Sequence, residues 1–154
     1  MAGSQLRNAF LVLMVVLAAA CGSTGDTGTK RPPSIEQPDI DVTLAHSLFF
    51  GGGTTAPATV DVTVTNRASV PITVRRIEID SPNMTQYALR RAVRDFKDVI
   101  DPGQSKTLSV FSTAETTVRR PSEPLTLRAL VELEAGEIRW REFVTVLGRE
   151  SAGY

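Results

Sequence analysis

The chain has 154 residues, 42% of them hydrophobic, and its 17 basic and 17 acidic side chains give a formal charge of zero. That balance excludes electrostatic steering onto nucleic acid or an anionic bilayer as the basis of function. The length fits one domain with a self-sufficient core. The single cysteine, Cys21, excludes an intrachain disulfide. The single histidine, His46, cannot by itself build a zinc site, which needs three or four ligands.

Residues 1–20 have three parts. Met1 to Asn8 is polar and carries Arg7, Phe10 to Ala20 is an unbroken run of 11 apolar residues, and its small end Ala18-Ala19-Ala20 leads into Cys21. This is the layout of a secretory signal. A membrane-spanning helix would need about 20 apolar residues. Leu17-Ala18-Ala19-Ala20-Cys21, followed by Gly22-Ser23, resembles the lipobox of bacterial lipoproteins. It departs from that pattern at Ala18, where the family prefers Leu, and Leu17 stands one residue earlier.

The resemblance implies cleavage before Cys21, a diacylglyceryl thioether on its sulfur and an amide-linked acyl chain such as palmitate. Each buried methylene contributes about 0.8 kcal/mol, and stable attachment takes two such chains. Cys21 would then be a consumed thiol, neither ligand nor nucleophile. Without its first 20 residues the 154-residue chain keeps 134 and loses one base, Arg7. Gly22 stands where enteric-type bacteria place Asp for inner-membrane retention, so the resemblance favours the outer membrane in a diderm host. The domain would face the periplasm or the exterior.

Gly22 to Ser34 contains no apolar residue. It cannot bury enough surface to offset its ordering entropy and is expected to be a flexible leash, stiffened at Pro32-Pro33. From Asp39 onward the signal is alternation. Ile40, Val42 and Leu44 predict a first strand, and Val60, Val62 and Val64 predict the next. Between them, Phe49-Phe50 is expected at a sheet edge and Gly51-Gly52-Gly53 in a mobile loop. These glycines are not a phosphate loop, since no Gly-Lys-Ser/Thr follows. His46 reads as a strand-end or surface residue.

Asn66 to Ser69 is turn-like. In the following strand Val70, Ile72 and Val74 are in one phase and Ile77 and Ile79 in the other. A strand of period 2 that changes phase requires an extra residue, so a bulge or bend is predicted near Arg75-Arg76. Residues 84–99 fit a short helix or two strands equally well, and Arg90, Arg91 and Arg94 there read as a solvated face or, alternatively, an anion site. Asp101-Pro102-Gly103-Gln104 is a turn. Leu108 and Val110 mark a strand, and Thr113 to Pro124 reads as a long loop. Leu125 to Leu133 and Ile138 to Val146 form a hairpin about Ala135-Gly136. Trp140 is expected in the core.

Seven to eight short strands with turns between them predict an all-β antiparallel β-sandwich. The segments Val60 to Asn66, Val70-Pro71-Ile72-Thr73-Val74, and Val99 to Ser105 before Leu108 and Val110 resemble an immunoglobulin-like module, similar to the abnormal-spindle/hydin and major-sperm-protein groups. The water-stress group of late-embryogenesis-abundant proteins shares much of this pattern. The expected organisation is a signal peptide, helical in its apolar run, at 1–20, lipidated Cys21 with a disordered linker over 21–36, the sandwich at 37–148 and a tail at 149–154.

Nucleophilic catalysis needs a base beside the nucleophile, and His46 has no clustered Ser/Asp motif. The carboxylate pairs Asp39/Asp41 and Glu132/Glu134 alternate along strands and are expected to point outward together. No catalytic residue, cofactor, metal or nucleic-acid partner is therefore expected. The resemblances imply a non-catalytic interaction or accessory module of the cell envelope. Its partners would be membrane lipid, through acylated Cys21, and unidentified envelope proteins added at an exposed strand edge. The alternative is a small-ligand-binding or stress-protective envelope protein, which requires an apolar groove between the sheets.

Overall fold

The computed structural model describes residues 30–82, 86–118 and 125–148. The expected signal helix, Cys21, the first part of the leash and the tail at 149–154 lie outside them. Eight strands follow in order: β1 (Asp39–Leu44), β2 (Thr55–Thr65), β3 (Ile72–Asp80), β4 (Tyr87–Leu89), β5 (Ala92–Ile100), β6 (Ser105–Thr116), β7 (Thr126–Ala135) and β8 (Ile138–Leu147). They form two four-stranded antiparallel sheets, β1-β2-β6-β4 and β5-β3-β7-β8. The first is called sheet A here and the second sheet B. The central pairs, β2 with β6 and β3 with β7, each join strands four apart in sequence, the Greek-key crossover of an immunoglobulin-like sandwich.

Alternation builds the core. Val60, Val62 and Val64 of β2 face Leu127, Ala129, Val131 and Leu133 of β7 and Ile77 and Ile79 of β3, all buried. The predicted phase change in β3 is a β-bulge: the register shifts between Val74 and Arg76 against both β5 and β7. Arg75 is the extra residue against β7, so Ile72 and Val74 before it and Ile77 and Ile79 after it all reach the core. Trp140 is 1% exposed, and its indole N–H donates to Glu142 Oε1 at 3.2 Å.

Three boundaries differ from the sequence reading. Residues 87–89 and 92–100 are strands, which removes the helix alternative for most of the irregular region. β6 continues through Thr116, well into the expected loop, with Ala114 and Thr116 buried. β2 begins at Thr55, with Ala56 and Ala58 buried. In both extensions the inward residues are small or polar, so alternation persists without an apolar signal. Pro57 is tolerated because β1 pairs with β2 only from Val60 onward, leaving that flank of Pro57 without a strand.

The turns obey local chemistry. Gln104 N–H donates to Asp101 O at 3.0 Å, and Gly103 has φ +75°, a type II turn with Pro102 at its first corner. Gly136 has φ +60° and begins the two-residue loop Gly136-Glu137, the II′ geometry that matches hairpin twist.

Candidate functional site

One end of the sandwich is fastened by Asn66, which is 0% exposed. Its Nδ2 donates to Val70 O at 2.8 Å and to Ile100 O at 2.9 Å, and its Oδ1 accepts from Ala68 N–H at 2.9 Å. Its backbone accepts from Gly103 N–H and donates to Gln104 O. A residue read only as part of a turn thus joins the end of β2 to the loop before β3 and to the end of β5. Every polar atom of the buried amide is used, as a low-dielectric interior requires.

A second fastening lies between the edge strands β1 and β8. Ile35 is 6% exposed and belongs to the core, inside the segment expected to be linker. Its N–H donates to Pro32 O at 3.0 Å and its carbonyl accepts from Arg31 Nη1. Arg31 Nε also meets Glu142 Oε1 at 3.2 Å, the oxygen that accepts the Trp140 indole. The leash therefore joins the packed domain from Arg31 onward. No apolar residue precedes Ile35 after Cys21, so nothing in hydropathy marked this docking.

The outer faces of the two sheets differ in chemistry. On sheet A, hydroxyl pairs bridge β2 and β6: Thr63 with Thr107 at 2.8 Å and Thr65 with Ser105 at 2.7 Å. Ser109 donates to Asp61 at 2.6 Å. On sheet B the cross-strand partners are ions. Arg91 grips Glu78 with two hydrogen bonds, at 2.6 and 2.9 Å. Arg76 meets Asp95 at 2.7 Å, Arg128 meets Asp80 at 2.7 Å and Arg139 meets Glu134 at 2.6 Å.

These guanidinium groups hold two carboxyls below the ordinary range. Glu78 is lowered chiefly by its hydrogen bonds from Arg91, against the cost of partial burial. Glu134 is lowered by hydrogen bonds from Arg75 and then Arg139. Amid these pairs lies a shallow depression of about 370 Å³, with Leu130 and Phe143 among its lining.

The other sequence-selected residues fall apart spatially. His46 is exposed beyond β1. Phe50 packs on the core, whereas Phe49 is 83% exposed. Arg90 pairs with Glu115 and Arg91 with Glu78, while Arg94 donates to Ser109 O at 2.7 Å and lies over the rings of Phe96 and Phe111. The three arginines diverge and do not make one anion site. Asp39 pairs with Arg67, and Glu132 and Glu134 each pair with an arginine. Trp140 is sealed in the core and offers no stacking surface.

Among the described residues no three His, Cys, Asp or Glu side chains gather as a metal site, and no helix is long and apolar enough to cross a membrane. The buried apolar side chains of the two sheets form one core cluster, and the depression lies on the outer face of sheet B.

No family model matches the chain, and no curated protein matches it. Solved structures match the chain only distantly, at low identity. A Northeast Structural Genomics Consortium target, SoR45, is 6% identical with a TM-score of 0.45, over 76% of this chain and 87% of that one. A FixG-related protein from Vibrio parahaemolyticus is 11% identical with a TM-score of 0.32, over 75% and 99%. The sporulation control protein Spo0M from Bacillus subtilis is 13% identical with a TM-score of 0.35, over 76% and 51%. These are distant all-β folds.

Proposed function

We propose that this protein is a lipid-anchored bacterial envelope protein whose β-sandwich is a non-catalytic interaction module. The observation that carries the reading is Leu17-Ala18-Ala19-Ala20-Cys21, with the polar segment from Gly22 behind it. The docking of Arg31 on Glu142 sets the length of the leash that this reading requires. Arg31 follows Cys21 by ten residues, so a fully extended chain reaches about 36 Å. An acylated Cys21 would hold the sandwich close to the headgroups on a short leash, with its exposed faces available to neighbours in the envelope.

The test is intact mass and membrane fractionation of the protein made in its host, wild type beside Cys21→Ala. The expected mass is residues 21–154 plus acyl groups, with membrane association lost in the variant. A soluble, unacylated wild type would overturn the reading.

A further inference from the structure

The outer face of the β7–β8 hairpin is self-complementary, and we propose that it is the contact surface of a homodimer. From the hairpin tip, Glu134 stands opposite Arg139, Glu132 opposite Arg141 and Leu130 opposite Phe143. In these rows β7 carries the acids and β8 the bases, followed by one apolar row in mid-hairpin. A two-fold axis parallel to the strands, midway between β7 and β8, lays β7 of one copy over β8 of the other. Each glutamate then faces an arginine of the second copy, and Leu130 faces the second copy's Phe143. The symmetry repeats every one of these contacts, as an isologous interface requires.

The placement is selective. An axis running through β7 itself would stack glutamate on glutamate. The intrachain pairs need not break: a carboxylate offers about four lone-pair sites, and even Glu134, which already accepts from Arg75 and Arg139, keeps room for a further donor. Facing sheets pack about 10 Å apart with strands within about 30°, so the middle row makes the closest contact and the charged rows form the rim. Phe143 suits the centre: it is 65% exposed, large and apolar, beside the depression that Leu130 also lines. A central aromatic anchor inside a polar rim is the usual distribution of binding energy. The inference stands whether or not Cys21 is acylated.

The full chain in detergent micelles is examined by sedimentation velocity over a concentration series, wild type beside Phe143→Glu. The expected result is a monomer–dimer equilibrium that the substitution weakens by about 10-fold or more, with Trp140 emission unchanged. A wild type that stays monomeric throughout, or a dimer that Phe143→Glu leaves intact, would overturn the proposal. A second variant, Glu132→Arg with Arg141→Glu, reverses the sign of one row while keeping its internal pairing. Labelled copies of this variant should associate with themselves and reject the wild type. Mixed dimers that form as readily as like with like would sink the proposed axis, and this result decides the matter if Phe143→Glu disturbs the Trp140 signal.

Discussion

The two sheets bury equivalent apolar faces, yet their outer faces are held by different forces. The β2–β6 seam of sheet A is knitted by neutral hydroxyls such as Thr63 and Thr107, with the ion pairs Asp39–Arg67 and Arg90–Glu115 to either side of it, and sheet B is bridged by pairs of full charges such as Arg91 and Glu78. Hydroxyl pairs respond little to salt or pH. Exposed ion pairs are screened by salt, and those whose carboxyl is held ionised depend on pH. One molecule thus presents a hydroxyl-bridged centre, between β2 and β6, that is less sensitive to salt and pH than the ion-paired face of sheet B. The sensitive face also carries the exposed Phe143.

The largest expected effect removes the frame on which both faces depend. Asn66→Ala leaves the carbonyls of Val70 and Ile100 and the N–H of Ala68 without their partner. Denaturant unfolding should show a loss of about 3–5 kcal/mol. Asn66→Asp should not rescue it, because a carboxylate has no donor for the two carbonyls. Full stability in the alanine variant would mean that the two sheets are held together elsewhere.

A smaller effect separates the faces by pH. The folded-state pKa of Glu78 and of Glu134 lies below the ordinary value of 4.5. Their contribution is therefore fully present above that value and is lost as the pH falls through the lower folded-state pKa. Acid unfolding of the wild type should steepen below about pH 4.5, and Glu78→Gln with Glu134→Gln should flatten that limb. An unchanged acid limb in the double variant would show that these pairs do not distinguish sheet B.

The smallest effect is expected on sheet A. Replacing Thr63 and Thr107 together by Val exchanges an exposed hydroxyl pair for an apolar pair on a strand surface. Stability should stay within about 0.5 kcal/mol of wild type, with no new dependence on salt or pH. Thermal melts at low and high salt would check this, and a salt-dependent loss would end the contrast between the faces.

Much of the fold was legible because its determinants are local. The phase slip from Val74 to Ile77 announced the bulge at Arg75, and Pro102-Gly103 announced its turn. The hairpin about Gly136 and the burial of Trp140 followed in the same way. Where inward positions hold Ala56, Ala58, Ala114 or Thr116, apolar contrast fades and the strand ends were misplaced. The surfaces were less legible. Asp39, Glu132 and Glu134 read correctly as outward, but the distant partners, Arg67 of Asp39 and Arg75 of Glu134, did not follow from position. Ile35 gave no warning because one apolar residue has no period.

By itself, the sequence determined the all-β class, the alternation that builds the core, the turn chemistry and the lipobox-like stretch ending at Cys21. Each of these is written within a few neighbouring residues. The tertiary structure alone decided which strands lie side by side. Beyond the hairpin, it thereby decided that Arg75 would meet Glu134 across 59 residues and that Asn66 would reach Ile100 across 34. The physical reason is that antiparallel pairing is non-local. A strand's own residues specify which side faces the core, and only its neighbours in the finished sheet specify what its other side will meet.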